Sequence, residues 1–196
     1  PILVGERKEI ELIARENKLT LDGIQVIDLS SDDESLRRTK YSHLAMEKLS
    51  RKGLSSDVAL KNMKKRKWFS TMAVEAGDAD VAIIGYSRHY TKALEPIRDL
   101  SGQSGQLLAS LQIVTTKHGT MFFADTDINS NMTPEELAEI TLLTANEVRR
   151  YGVEPVVAML SNSNFGSNPH AESRTVAKAV EILHRDHPEL LVDGEM

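Results

Sequence analysis

Short apolar runs alternate with stretches of helical spacing along this chain, and that alternation points to an α/β fold. Ile2–Val4 reads as a strand, and Glu6–Asn17 as a helix with Ile10, Ile13 and Ala14 on one face. Ile24–Leu29 is a second strand, followed by the acidic loop SSDDES. Tyr41–Arg51 and Ser55–Lys65 read as two helices split at Gly53, and Trp68–Glu75 as another, closed by Gly77. Val81–Ile84 is an apolar strand that runs into GYSRHY and then a helix through Leu94.

A different pattern begins near Ser101. SGQSGQ is a Gly/Ser/Gln break, which divides the chain into a first subdomain over 1–100 and a second over 101–196. Leu107–Thr115 and Thr120–Asp127 flank the turn-rich TKHG and predict a long antiparallel hairpin. TPEELAEITLLTANEVRRYG carries the clearest local signal. Thr133 can cap a helix, Pro134 suits its first position, and Glu136 completes a capping box. Leu137, Ile140, Thr144 and Val148 form its apolar face, while Arg149, Arg150 and Gly152 favour its C-terminal end. Val156–Leu160 then reads as a strand buried on both faces, and a helix begins at Pro169.

A chain of 196 residues with 40% apolar and 27% charged residues can bury a proper core. Its charge, 24 minus 29 or −5, argues against a general nucleic-acid-binding surface. KNMKKRKW, Lys61–Trp68, is the one basic cluster, either a solvated helix face or a contact for a phosphate-bearing ligand. The absence of cysteine excludes disulfides and Cys-ligated zinc and fits a cytoplasmic setting. No apolar run approaches the ~20 residues that a bilayer requires, and no signal peptide is visible, so no membrane partner is expected. A start at Pro1 on a strand, and a stop at VDGEM where a strand or turn begins, suggest a piece of something longer.

Two polar strand-to-helix loops, GYSRHYT and SNSNFGSN, hold the candidate chemistry, because such loops offer free backbone N–H groups and a helix dipole to anions. In the first, Arg88 is a fork for phosphate or carboxylate or a surface ion-pair partner, and His89 is an acid or base or a structural loop residue. In the second, Ser161, Asn162, Ser163, Asn164, Ser167 and Asn168 can hold a polar ligand, with Gly166 allowing close backbone approach. The alternative is that Ser167 or Asn168 caps the helix and the rest is solvated. Asp125 and Asp127, on one face of a strand by alternation, either bind Mg²⁺ or serve caps and turns. Walker A, G-x-G-x-x-G and G-x-S-x-G motifs are missing.

The order ILVG, IDL, RKG, KWFSTMAVEAGDADVAIIGY, FADTDIN, TPEELAEIT, VVAMLS and VDGE resembles the phosphate acetyl/butyryltransferase family across nearly the whole chain. The resemblance implies a two-subdomain α/β fold related to isocitrate and isopropylmalate dehydrogenases, with an acyl-CoA cleft between the subdomains. It also implies a homo-oligomer, a dimer or higher.

Departures from the family pattern matter as much. Active transferases resemble S-G-x-x-H-S-T-x-x-T-L-R-P where this chain reads IGYSRHYTKALEP. Ile84, Arg88, His89, Tyr90 and Ala93 replace a serine, the histidine, a serine and two threonines, and Glu95 replaces the arginine beside Pro96. An anion where a dianionic phosphate should sit is repulsive. The second loop, L-S-x-S-T-K-G-S in transferases, is LSNSNFGS here, with Asn164 and Phe165 in place of Thr and Lys. Phe165 either packs within the domain or meets an adenine or acyl group. The family's catalytic Ser-Arg and aspartate lie beyond VDGE, outside this sequence, so no catalytic or metal-binding residue is assigned.

The family also contains a relative fused to NADP-dependent malic enzymes, which the two altered loops resemble. On that reading the segment binds acetyl-CoA through Gly85, Ser87, Arg88, His89 and Tyr90 together with Ser161, Ser163, Asn164, Gly166 and Ser167. NADP and Mg or Mn would act elsewhere in the parent protein. A stand-alone phosphate acetyltransferase is the alternative, and a nucleotide-dependent dehydrogenase with Asp125 and Asp127 near a metal is a third reading.

Overall fold

The computed structural model describes residues 1–85, 89–104, 107–168 and 170–196, with backbone alone for 101–104. It forms two compact units, Pro1–Gln106 and Leu107–Met196.

In the first unit, β1 (Ile2–Val4) and β2 (Gln25–Ile27) pair in parallel, Leu3 opposite Val26, with α1 (Arg7–Glu16) as the crossover. Glu6 gives α1 no side-chain cap. Instead the Asp28 carboxylate accepts the Arg7 N–H at 3.0 Å, tying the helix start to the end of β2. Helices α2 (Ser35–Lys48), α3 (Ser56–Met63) and α4 (Arg66–Glu75) follow. The apolar stripes of α2 and α4 meet β2 in a core of Ile27, Leu29, Tyr41, Ala45, Leu49, Met63, Trp68, Phe69 and Met72. The Tyr41 hydroxyl leaves this core to donate to Asp78 at 2.8 Å. Gly53 sits at φ 66°, in the left-handed region, where the chain turns from α2 into α3. Two short helices, α5 (Tyr90–Ala93) and α6 (Glu95–Ser104), complete the unit.

The expected strand Val81–Ile84 does not form: the segment is irregular, with Val81 74% and Ile83 97% exposed. The sheet of β1 and β2 has no third strand among the described residues, so nothing supplies the backbone partners that an apolar run needs to become a strand. On α1, Ala14 is buried but Ile13 is half exposed, so its inward face is narrower than expected.

The second unit starts with the hairpin β3 (Leu111–Thr116) and β4 (Gly119–Ala124), paired antiparallel with Ile113 opposite Phe122. Helix α7 (Pro134–Arg150) has the full capping box: the Thr133 hydroxyl accepts the Glu136 N–H at 3.2 Å and the Glu136 carboxylate accepts the Thr133 N–H at 2.9 Å. Its buried face is Ala138, Ile140, Thr141, Ala145 and Val148, which replaces Leu137 and Thr144 of the expected stripe with smaller neighbours. Small residues win because α7 packs closely on α8 (Ala171–Asp186) around Met159, Ala179, Val180, Leu183, Leu190 and Val192. Strands β5 (Val156–Met159) and β6 (Leu191–Gly194) pair in parallel through the α8 crossover, Met159 opposite Gly194.

Strand β5 is not buried on both faces. Val156 is 78% exposed, because β6 covers only one edge and no third strand joins among the described residues. Residues 156–160 line a groove of about 930 Å³ with Met121, Phe123, Ile140 and Val176. Nor are Asp125 and Asp127 on a strand. β4 ends at Ala124, and Asp125 turns to φ 49°. Its carboxylate accepts from Asn129 at 2.6 Å and that of Asp127 from Gln112 at 2.8 Å, so both serve the turn. Among the described residues no group of three or more His, Cys, Asp or Glu side chains could hold a metal ion.

Candidate functional site

At the start of the first candidate loop, Gly85 adopts φ 104°, and a Cβ there would lie 3.3 Å from Ala93 Cβ, so glycine eases the close approach of this one residue to α5. Ser87 and Arg88 lie outside the described residues. His89 is the exposed residue before α5, its carbonyl accepting the Lys92 N–H at 3.0 Å and the Ala93 N–H at 3.2 Å. Tyr90 is 48% exposed at the first position of that helix.

Charge in this region is arranged by a residue from the basic cluster. Lys67, on α4, ion-pairs with Glu95 and donates to the Lys92 carbonyl at 2.8 Å. The Lys67 ammonium holds the Glu95 carboxyl below its ordinary range, against a smaller opposing effect of burial. Both groups keep contact with water, so the pair is worth under about 1 kcal/mol. Its consequence is electrostatic: the Lys67 ammonium is already paired with an anion.

The second loop is built differently. It joins β5 to α8, and the end of β6 runs beside it, with the Ser161 N–H donating to the Met196 carbonyl at 2.8 Å and the Phe165 N–H to the Glu195 carbonyl at 2.9 Å. That pairing places the Glu195 side chain inside the loop, only 4% exposed. Oε2 accepts from the Ser161 hydroxyl at 2.9 Å. Oε1 accepts from the Ser163 hydroxyl at 3.0 Å and from the Gly166 N–H at 2.5 Å. The Gly166 N–H, then the Ser163 and Ser161 hydroxyls, hold the Glu195 carboxyl below its ordinary range although desolvation opposes them. Among the described residues the carboxylate has no cationic partner.

The hydroxyls also accept. Ser161 takes the Ser163 N–H at 2.8 Å and Ser163 takes the Asn168 N–H at 3.0 Å, so each orders the loop twice. Gly166 at φ 82° turns its N–H inward, and Phe165 at φ 47° shares the turn. Asn164 donates its N–H to the Ser167 hydroxyl at 2.9 Å, and both side chains lie on the exposed rim. Phe165 is 62% exposed, so it makes no buried contact within the unit. Neither Ser167 nor Asn168 caps the helix. α8 begins at Ala171 behind His170, which makes no side-chain cap, while Pro169 is outside the described residues. Ser173 on the first turn of α8 instead donates to the Asn162 side chain at 2.7 Å.

Glu195 is the residue that sequence reasoning missed as a site member. The VDGE motif was visible, but it sits 29 residues beyond Gly166, and only the parallel register of β5 and β6 unites them.

The sequence model described as phosphate acetyl/butaryl transferase matches residues 1–196. The chain belongs to the phosphate acetyl/butaryl transferase family. Within its curated relatives, the NADP-dependent malic enzyme of Haemophilus influenzae is 34% identical over all of this chain, and the phosphate acetyltransferase of Bacillus subtilis is 31% identical over all of it. The chain spans 26% of the former and 60% of the latter. A solved phosphotransacetylase from Streptococcus pyogenes superposes with a TM-score of 0.79 at 25% identity, over all of this chain and 60% of that one. This transferase family thus includes malic enzymes and free-standing acetyltransferases among the chain's relatives. No helix among the described residues is long and apolar enough to cross a membrane.

Proposed function

We propose that this chain is a regulatory, acetyl-CoA-binding, phosphotransacetylase-like domain of an NADP-dependent malic enzyme. The parent protein would oxidise and decarboxylate malate to pyruvate with NADP and Mg or Mn, using residues outside this segment. The carrying observation is the Lys67–Glu95 ion pair at the position where transferases resemble Arg-Pro. A phosphate needs unpaired positive charge there, and this chain supplies a neutral pair. Alignment of all of this chain to 26% of the length of malic enzymes supports the same reading.

In this proposal the acyl-CoA-binding residues are Gly85, Ser87, Arg88, His89 and Tyr90 and those of the 161–167 loop. Asn164 and Ser167 on the rim would meet the ligand directly. Ser161, Ser163 and Gly166 would shape the loop, since their inward donors already hold Glu195. The kinship to isocitrate and isopropylmalate dehydrogenases, a homo-oligomeric state and a cytoplasmic setting belong to the same proposal.

Regulation requires acetyl-CoA to prefer one conformational state, with coupling on the order of 1–3 kcal/mol. The test is malate-dependent NADP reduction by the full-length protein with and without acetyl-CoA. A rate that responds saturably to acetyl-CoA supports the proposal, and an unchanged rate with no acetyl-CoA binding sinks it. A second reading, a stand-alone phosphate acetyltransferase, draws on the 60% coverage of the Bacillus subtilis enzyme. It requires phosphate-dependent release of CoA, and Glu95→Arg would be expected to strengthen that activity.

A further inference from the structure

A buried carboxylate with no cation beside it among the described residues needs neutral donors in the right places, and the 161–167 loop provides them on both oxygens. The donors come from a hydroxyl on either side of Asn162 and from a backbone N–H aimed by a left-handed glycine. They converge on one planar group. The same hydroxyls accept the Ser163 and Asn168 N–H groups, so the shape of the loop and the presence of an anion depend on each other.

We propose that the 161–167 loop is a carboxylate-binding site whose resident ligand is Glu195, so that the docking of the β6 end decides both the order of the loop and its openness to an outside carboxylate. With Glu195 seated, the site is closed and the loop offers only its rim, Asn164, Phe165 and Ser167. When Glu195 withdraws, the Ser163 hydroxyl and the Gly166 N–H are left without an acceptor while the Ser161 hydroxyl keeps the Ser163 carbonyl at 3.1 Å, and a small carboxylate can take its place. This inference is independent of the acyl-CoA reading, since it concerns groups that face into the loop.

Glu195→Ala removes Cγ, Cδ and both oxygens, and acetate, with a methyl carbon, a carboxyl carbon and two oxygens, has the size to replace all four. Hydrogen exchange of peptides covering 161–168 in the full-length protein reads the result. The wild-type loop is expected to exchange slowly and to ignore acetate. In Glu195→Ala its exchange rises on the order of tenfold, the scale of one lost hydrogen bond to a charged group. Saturating acetate then returns it toward wild type, while sodium chloride at the same ionic strength does not. Exchange at the wild-type rate in the variant overturns the proposal, as does restoration by phosphate but not by acetate, or no restoration by either. Should Glu195→Ala fail to fold, the Ser161→Ala/Ser163→Ala double variant keeps the carboxylate and removes two donors. It is expected to exchange faster with no response to acetate, and wild-type exchange there would equally overturn the assignment.

Discussion

Each unit places one glutamate at its candidate loop, and the two are held in opposite ways. Glu95 meets a lysine at the surface, where water and salt share its charge. Glu195 is buried among two hydroxyls and a backbone N–H, with no countercharge among the described residues. The first arrangement cancels a charge and fixes little structure. The second leaves the charge intact and makes it the centre around which a loop is ordered. A carboxylate near a candidate site therefore says little by itself, because its partners decide whether it repels a ligand, neutralises a cation or replaces a ligand.

The contrast can be broken most forcefully at the glycine that lets Glu195 approach. Gly194 has φ 149°, and an added Cβ would come within 2.5 Å of the Met159 carbonyl oxygen and 2.8 Å of Met159 Cβ. Gly194→Ala should destabilise the second unit by roughly 3 kcal/mol through backbone strain and overpacking, read by chemical denaturation. A loss below about 1 kcal/mol would mean that the β6 end can shift without cost, and that Glu195 is less firmly placed than its bonds imply.

Glu195→Gln should come next. It turns one acceptor into a donor facing hydroxyls, so the melting temperature should fall further than in Glu95→Gln at every ionic strength. Equal falls would remove the distinction between the two glutamates. Thr133→Ala, which deletes half of a capping box remote from either glutamate, supplies a scale of about 1 kcal/mol against which both can be set. The smallest effect belongs to Glu95→Gln, under about 1 kcal/mol at low salt and less at high salt.

Acid separates the pair only in combination with salt. Both carboxyls lie below their ordinary value of 4.5 in the folded chain. Their stabilisation is therefore complete above that value and fades as pH falls through the lower folded pKa. Loop 161–168 should keep its protection from exchange at pH 5 and lose it well below about pH 4. High salt should leave that acid limb in place. If salt abolished it, an ion pair rather than neutral donors would be holding Glu195.

Much of the architecture was legible because its causes are local. The spacing of Thr133, Pro134 and Glu136 fixes the start of α7, and TKHG between two β-rich runs fixes the turn of the hairpin. Gly53 separates α2 from α3 for the same kind of reason, a backbone angle that other residues adopt with difficulty. The failures also share a cause. Val81–Ile84 and Val156–Leu160 have the composition of buried strands, but a strand needs neighbours, and composition does not say whether they are present.

At the candidate sites the division is sharper. The sequence alone identified the two polar loops and the glycine that allows close backbone approach in the second, and its resemblance to the transferase family added the reversal of charge at Glu95. Only the tertiary structure decided that Lys67 answers Glu95 across 28 residues and that Glu195 enters a loop 29 to 34 residues away. Chain-local rules reach one turn of helix or one hairpin, whereas these partners meet through helix packing and a parallel strand register, which belong to the whole unit.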